Sequence, residues 1–139
     1  MFTYSIHGAK NFPFHKEESD LDTPLPDGAG DTEFLATLER GLEAALDAAD
    51  ADLAIYLAGA DPFEGDRLGR LSVTKSGLAE RDRIVLETCR ERGIPVAVTM
   101  AGGYANEVWD TVDVHFQSIR RAAELVECTA DRSKETHLT

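Results

Sequence analysis

The chain has 139 residues, the length of one small domain with a single hydrophobic core. Its 26 acidic and 14 basic residues give a formal net charge of −12. This charge argues against nucleic-acid binding, which requires a basic surface, and is compatible with a cationic substrate. We find neither an apolar run long enough to span a membrane nor a signal-peptide core, so we expect a cytoplasmic protein that does not contact membranes.

The first predicted element is a β-strand over residues 2–7, where the sequence "FTYSIH" alternates between two faces. Residues 8–30 are rich in Gly, Pro, Asp and Lys, which predicts one long loop, functional rather than disordered. Asp31 is expected to cap a helix over residues 32–47. The apolar residues of this helix recur at helical spacing: Phe34, Leu35, Leu38, Leu42, Ala45 and Leu46.

Two further strands are predicted at residues 53–58, "LAIYLA", and 94–100, "IPVAVTM". Both are apolar without alternation, which is typical of parallel strands buried on both faces. Between them, Ser76 is expected to cap a second helix that ends at Gly93. Its predicted buried residues are Leu78, Val85, Leu86 and Cys89.

A third helix follows the last strand and ends in a polar C-terminal tail over residues 129–139. Its predicted buried stripe comprises Val108, Val112, His115, Ile119, Ala122 and Val126. The alternation of strands and helices predicts an α/β fold with a parallel sheet. Cys89 and Cys128 fall in helical patterns without metal-type spacing, which favours two reduced, buried thiols.

Ligands of parallel sheets bind beyond the carboxyl ends of the strands, where Asp61 follows the second strand. A carboxylate in a closed pocket costs several kcal/mol unless it is paired or bound to a metal. Asp61 is therefore either a metal ligand or a turn or helix-capping residue. Glu64 and Asp66 are expected to be solvated or structural, with Asp66 forming an ion pair with Arg67.

Tyr104 lies at the end of the third strand, directly after Gly102 and Gly103. The glycines permit a close approach of the backbone to a ligand, and a phenol can donate a hydrogen bond to a developing oxyanion. The alternative is a loop tyrosine that packs on its neighbours.

The histidines give weaker signals. Asp113 and His115 have the D-x-H spacing of a metal pair, but residues two apart in a helix do not face each other. His115 is therefore expected to be a core histidine with its hydrogen bonds satisfied. His7 ends the first strand and is a candidate for supporting the site, whereas His15 and His137 carry no specific signal.

Three segments together resemble a known family: "SIHGAKNFPFHKEESDLDTPLPDGAGDTEFL", "LAGADPFEGDRLGRLSVTKSGLAERD" and "VAVTMAGGY". They are similar to the histone deacetylase-like members of the arginase/deacetylase superfamily, which include acetyl-lysine and acetylpolyamine deacetylases. The resemblance implies a three-layer α/β/α fold with a parallel sheet that lacks the N-terminal half. Residues 1–128 would form this partial histone deacetylase-like domain.

The resemblance also implies site residues and cofactors. Asp61 matches the last ligand of the catalytic Zn²⁺, and Tyr104 matches the tyrosine that polarises the amide carbonyl. Zinc would act as a Lewis acid and activate water. A structural K⁺ would bind backbone groups of Ser5 and Ile6. The implied substrate tunnel includes Phe12, Leu68, Gly102 and Gly103.

In such relatives, the N-terminal half carries the histidine pair of the general base and the other two zinc ligands. A catalytic zinc site requires three protein ligands, and this chain offers one. The implied function is therefore the C-terminal part of a zinc-dependent deacetylase for acetyl-lysine or acetylpolyamine-type amides, inactive alone. The alternatives are a non-catalytic remnant or binding module, or one half of a split deacetylase whose partner chain is encoded upstream.

Two further expectations concern other folds and stability. A flavodoxin-like nucleotide binder is disfavoured because "HGAKNFPF" provides no phosphate-binding glycine turn. The isolated chain is expected to be marginally stable or prone to aggregation, since three buried-type strands would leave an open sheet edge.

Overall fold

The structure is a computed structural model that describes the backbone of residues 1–135 and the side chains of residues 1–126. The elements in chain order are β1 (Tyr4–Gly8), β2 (Leu21–Leu25), α1 (Asp31–Ala49), β3 (Ala54–Gly59), α2 (Lys75–Glu91), β4 (Val96–Ala101) and α3 (Val108–Glu135). Both strand pairings are parallel. The predicted α/β class with parallel strands is therefore confirmed.

The described strands form two separate two-stranded sheets, β1 with β2 and β3 with β4. Strand β2 falls inside residues 8–30, so the prediction of one uninterrupted loop there is wrong. Its sequence "LDTPL" is short and contains Pro24, which has no N–H to donate to a ladder. A proline normally argues against a central strand, and here β2 pairs on one side with β1.

The two sheets rest on one apolar cluster that α1 and α2 provide. The cluster contains Leu38, Leu42, Ile84 and Val85, and Tyr4, Ile6 and Tyr56 of the strands pack against it. Although β1 and β3 share this cluster, they are not paired with each other in the described chain. The sheet is therefore interrupted between its two halves.

A second apolar cluster joins the carboxyl ends of the two sheets. It includes Leu25, the last residue of β2, and Ala60, the first residue after β3. Phe34 of α1, Leu78 of α2 and Val114 of α3 form its helical side. The loops that follow the strands therefore surround one common core.

The predicted buried faces of the first two helices are confirmed. In α1, the stripe residues lie in or against the two apolar clusters or are otherwise buried. In α2, all four predicted residues are buried, including the thiol of Cys89. Gly93 adopts a φ of 71° directly after this helix, as expected of a residue that ends it. The side chain of Cys128 lies outside the described residues.

The helix starts differ from the predictions. Gly30, and not Asp31, is the N-cap of α1, and Thr74, and not Ser76, is the N-cap of α2. The Thr74 hydroxyl accepts a hydrogen bond from the Gly77 N–H at 3.0 Å. The Asp31 carboxylate in turn accepts hydrogen bonds from the Thr74 N–H and hydroxyl at 2.8 and 2.7 Å. Asp31 therefore ties the two helix starts together.

Three predictions of burial are wrong. In β3, Ile55 and Leu57 are 61% and 65% exposed, so one face of this strand is uncovered in the described chain. In β4, which was also predicted to be buried on both faces, Ala97 is exposed and Met100 is 68% exposed.

Among the described side chains of α3, those buried against the rest of the chain are Val114 and Ser118. Several apolar residues of this helix are instead exposed: Val108, Trp109, Val112, Phe116, Ile119 and Val126. Because α3 is apolar on two faces, its periodicity could not show which face packs on this chain.

The backbone of α3 is helical as far as Glu135, past residue 129 at which the polar tail is predicted to begin. Residues 136–139, which include His137, lie outside the described residues. Among the described helices, none combines the length and the hydropathy needed to cross a bilayer.

We predict that Asp31→Ala lowers the free energy of unfolding by about 1–3 kcal/mol, because the Thr74 N–H and hydroxyl lose their acceptor. Urea denaturation measures the change. Glu33→Ala is the control, since Glu33 is an exposed acidic residue in the same first turn. Equal losses of stability in both variants would show that the effect comes from the negative charge near the helix N-terminus. This result would contradict the role assigned to the hydrogen bonds between Asp31 and Thr74.

Candidate active site

Asp61 lies just beyond the carboxyl end of β3, where the chain meets the loop after β4. The Ala60 N–H donates a hydrogen bond to the Gly102 carbonyl at 2.9 Å, which joins the two loops. The Asp61 carboxylate lies over two glycines, since a Cβ atom added at Gly59 or Gly102 would come within 2.5 or 2.8 Å of its Oδ1. A side chain at either position would displace the carboxylate from this place.

Burial raises the pKa of Asp61 above its ordinary value, and the nearby Asp66 carboxylate acts in the same direction. A hydrogen bond from the Asp61 backbone N–H and the positive charge of Arg81 oppose this increase. The charged form of Asp61 is therefore disfavoured in the folded chain. A bound cation would stabilise it, which is the electrostatic property expected of a metal ligand.

Asp66 holds the Asp61 loop and the Tyr104 loop against each other. Its Oδ1 accepts hydrogen bonds from the backbone N–H groups of Leu68 and Gly69 at 2.8 and 2.7 Å. Its Oδ2 accepts one from the Tyr104 N–H at 2.5 Å. The predicted ion pair between Asp66 and Arg67 is wrong, because the Arg67 Nε donates to the Tyr104 carbonyl at 3.2 Å instead.

The Tyr104 side chain is accessible in this arrangement, with 56% of it exposed. The preceding Gly103 has a φ of 141°, which L side chains rarely adopt. A Cβ atom there would also lie 2.8 Å from the Ala60 side chain and 2.9 Å from that of Thr111. Gly103 thus lets the Tyr104 segment pass close to the end of β3. The structure brings the backbone segments of Asp61 and Tyr104 together, as expected from their positions after neighbouring strands.

The predicted tunnel residues occupy three loops, of which the loop after β4 carries Gly102 and Gly103. Leu68 is exposed in the loop that Asp66 holds, beside the Tyr104 segment. Phe12 is exposed on the loop after β1, where the Phe12–Pro13 bond is cis. Its ring meets that of Phe14 edge to face, with the centroids 6.1 Å apart. Their exposure makes Phe12 and Leu68 accessible to a ligand.

Ser5 and Ile6, the predicted cation-binding residues, lie in β1 beside His7. The Ser5 hydroxyl and His7 Nδ1 are 2.8 Å apart, and the Ser5 carbonyl accepts a hydrogen bond from the Thr23 hydroxyl at 3.2 Å. Burial lowers the pKa of His7, which the nearby Asp22 carboxylate partly opposes. Near neutral pH, His7 is therefore favoured as a neutral partner of Ser5.

The other histidine predictions are partly corrected. His115 is half-buried rather than a core residue, and its Nδ1 has no hydrogen-bond partner, so the expectation of a satisfied histidine is wrong. Asp113 forms an ion pair with Lys75 at 2.6 Å. Within the described residues, no group of three or more His, Cys, Asp and Glu side chains could hold a metal ion. Asp61 can therefore provide one zinc ligand, but these residues do not complete a zinc site.

A buried polar network next to Asp61 was not predicted from the sequence. Asp82 of α2 is 1% exposed and accepts hydrogen bonds from the Tyr56 and Ser118 hydroxyls, each at 2.5 Å. Arg81, which is 4% exposed, binds the same carboxylate through its Nε at 2.9 Å. The available signal was a charged pair inside the otherwise apolar buried side of a predicted helix.

Known proteins are similar to this chain in sequence. A family model described as "Histone deacetylase domain" matches residues 1–119. An uncharacterized protein from Picosynechococcus sp. is 46% identical over 123 residues, which cover 88% of this chain and 41% of that protein. Histone deacetylase 2 of Arabidopsis thaliana is 31% identical over 107 residues, which cover 75% of this chain and 28% of that protein. The chain thus spans less than half the length of these relatives.

Solved structures show the same fold. A histone deacetylase (HDAC) homologue from Aquifex aeolicus has a TM-score of 0.63 at 23% identity, covering 84% of this chain and 35% of that one. An HDAC homologue complexed with SAHA has a TM-score of 0.64 at 24% identity, covering 91% of this chain and 40% of that one. The arginase/deacetylase-like fold implied by the sequence resemblance is therefore confirmed.

We predict that Asp66→Asn loosens the two loops, because an amide has one acceptor oxygen where the carboxylate has two. Hydrogen exchange of the Leu68, Gly69 and Tyr104 amides should become about tenfold faster or more, as a lost hydrogen bond to a charged group costs about 1.5–3 kcal/mol. The exposed Glu64 provides the matched control, Glu64→Gln. Unchanged exchange at all three amides would contradict the role assigned to Asp66.

A second prediction concerns pH. Because the pKa of Asp61 is raised on folding, its contribution to stability is present below the usual value of 3.8 and is lost as pH rises through the raised pKa. Asp61→Asn should therefore increase the free energy of unfolding at neutral pH. The gain should vanish at about pH 3.5, below the pKa in both states.

Urea denaturation of the wild type and the variant across this pH range measures the difference. A less stable Asp61→Asn variant at neutral pH would show that the ionised carboxylate stabilises the fold, opposite to the assigned electrostatics.

Proposed function

Because this chain belongs to the histone deacetylase family, we propose that it is the C-terminal part of a zinc-dependent deacetylase that hydrolyses acetyl-lysine or acetylpolyamine-type amides. The main support is the joining of two loops at the carboxyl ends of β3 and β4, one carrying a half-buried carboxylate and the other an accessible phenol. This pairing suits amide hydrolysis, since a metal ligand and an oxyanion donor must act on the same carbonyl.

In the complete site, Asp61 would bind the zinc ion, which supplies Lewis-acid chemistry and activates water. The Tyr104 phenol would donate a hydrogen bond to the oxygen of the tetrahedral intermediate. Phe12, Leu68, Gly102 and Gly103 would form this chain's share of the substrate tunnel. Ser5 and Ile6 would bind a structural K⁺ through their backbone. Asp66 would keep the zinc ligand and the phenol in a fixed relation through its backbone hydrogen bonds.

The remaining zinc ligands and a histidine general base must come from polypeptide that these 139 residues do not contain. Such a segment either precedes this one or is a separate chain, an N-terminal half encoded upstream. The interrupted sheet supports this proposal, because β1 and β3 rest on one helical cluster without being paired to each other. A strand of the N-terminal half could pair with such an edge and join the two sheets.

Exposed apolar residues provide further support. Ile55 and Leu57 leave one face of β3 open, and Trp109, Val112 and Phe116 form part of an exposed apolar face on α3. Contiguous apolar surface of this kind is typical of an interface with another polypeptide. Its exposure is also consistent with the expected tendency of the isolated chain to aggregate.

A non-catalytic binding module is the second candidate. It is favoured because the described residues contain no group of three possible metal ligands, whereas a catalytic zinc site requires three protein ligands. In this case the Asp61 and Tyr104 loops would bind an acetylated ligand without turnover. Measuring deacetylation after complementation distinguishes the two functions.

We predict no zinc-dependent deacetylation of an acetyl-lysine peptide or an acetylpolyamine by the chain alone. Co-expression with the part of the Picosynechococcus relative that this chain does not match should give a complex with activity. Tyr104→Phe in this complex should lower kcat by about 10²–10³-fold, the usual cost of one oxyanion donor. Asp61→Asn should abolish zinc-dependent turnover.

The Glu64→Gln variant, which changes an exposed carboxylate in the same loop, is the control and should keep its activity. Turnover by the chain alone would refute the proposal that its zinc site is incomplete. A stoichiometric, zinc-loaded complex that does not hydrolyse these substrates would refute the proposed deacetylase function and favour the binding module.

A further inference from the structure

Arg81 and Asp82 form a buried ion pair on α2, in the interior of the fold. The Arg81 Nε and Nη2 lie 2.9 and 2.8 Å from Oδ1 of Asp82. The Tyr56 hydroxyl donates to the same oxygen, and the Ser118 hydroxyl donates to Oδ2. The pair therefore connects α2 with β3, which leads to Asp61, and with α3, which follows the Tyr104 loop.

The far end of the Arg81 guanidinium reaches the strand end that carries Asp61. Its Nη1 donates to the Gly59 carbonyl at 2.5 Å. Gly59 is the last residue of β3 and also one of the two glycines over which the Asp61 carboxylate lies. Arg81 thus fixes the backbone directly beneath this carboxylate.

Stability alone is a weak explanation for this pair. Buried charges lose their hydration, and well-packed apolar residues in their place are often neutral or more stabilising. A guanidinium offers a rigid fork of donors, so that one group can bind Asp82 and the Gly59 carbonyl together. This geometry is better suited to holding a position than to adding stability.

We propose that Arg81 is a positioning residue that holds the end of β3 and thereby orients the Asp61 carboxylate toward its metal ion. Asp82 anchors Arg81, and the hydroxyls of Tyr56 and Ser118 complete the anchor. The role toward a metal rests on the proposed function, whereas the role toward the backbone of residues 59–61 does not.

The sharpest variant is Arg81→Lys, which keeps a positive charge for Asp82 but lacks the fork needed to bind the Gly59 carbonyl as well. Amide hydrogen exchange of the full 139-residue chain should become about tenfold faster at Ala60 and Asp61. Amides in the interior of α1 should change by less than twofold. Arg83→Lys is the matched control on the same helix, since Arg83 pairs with the surface residues Glu80 and Glu87.

Two results would overturn the positioning role. One is unchanged exchange at Ala60 and Asp61, and the other is a uniform increase across the chain, which would indicate a general loss of stability. If Arg81→Lys does not fold, the wild type still tests the contact, because the guanidinium N–H signals of Arg81 in NMR spectra should be resolved and slow to exchange. Signals that average as rapidly as those of Arg83 would refute it.

In the complex with the N-terminal part, Arg81→Lys should weaken zinc affinity by about 10–100-fold, the range found when partners of metal ligands are removed. Zinc competition with a chelator measures this affinity without using activity. Local loosening with unchanged zinc affinity would overturn the link to the metal. A wild-type complex that binds no zinc would instead refute the proposed function and leave the exchange result standing.

Discussion

The candidate site depends on one carboxylate that binds three backbone N–H groups. Asp66 receives hydrogen bonds from Leu68 and Gly69 in its own loop and from Tyr104 in the loop after β4. Neither loop belongs to a named helix or strand, and next to this carboxylate a single antiparallel bridge joins them, with hydrogen bonds from the Arg67 N–H to the Tyr104 carbonyl and from the Asn106 N–H to the Gly65 carbonyl, each at 3.0 Å. A charged acceptor is well suited to this position, because hydrogen bonds to an ionised group are about twice as strong as neutral ones.

The half-buried Asp61 and the buried Asp82 have opposite electrostatic surroundings. Asp82 is surrounded by donors, an arginine and two hydroxyls, which compensate its charge within the fold. Asp61 has its own backbone N–H and a more distant arginine, while its desolvation and Asp66 disfavour the charge. The first arrangement is typical of a structural group, and the second of a group whose partner is a ligand.

The exposed apolar surfaces and the interrupted sheet can be explained by the same cause. A parallel sheet is stable when helices cover both faces and every inner edge is paired. Here α1 and α2 provide one helical layer, whereas Ile55 and Leu57 face away from it and remain exposed. The fold is therefore consistent with a shared core to which a second polypeptide segment contributes, and the relatives, more than twice as long, have the residues to supply it.

The sequence by itself determined the elements that have a strong period or a strong apolar run. It predicted the buried faces of α1 and α2, the strands β1, β3 and β4, and the loops at their carboxyl ends that carry Asp61 and Tyr104. It missed β2, because Pro24 and the shortness of "LDTPL" hide a strand that depends on its partner β1. The family motifs identified the candidate site residues, since they occur as contiguous segments at fixed spacing.

Only the tertiary structure decided which apolar faces remain exposed and which polar groups pair. The periodicity of a helix shows which side chains share an apolar face, but not whether this chain or another one covers that face. Val112 and Ile119 were therefore expected to be buried, and they are exposed. The partners of Asp31, Asp66 and Asp82 in other elements and loops lie 26 to 43 residues away in the sequence. Such contacts leave no pattern in the sequence, because hydrogen bonds depend on distances that the complete fold sets.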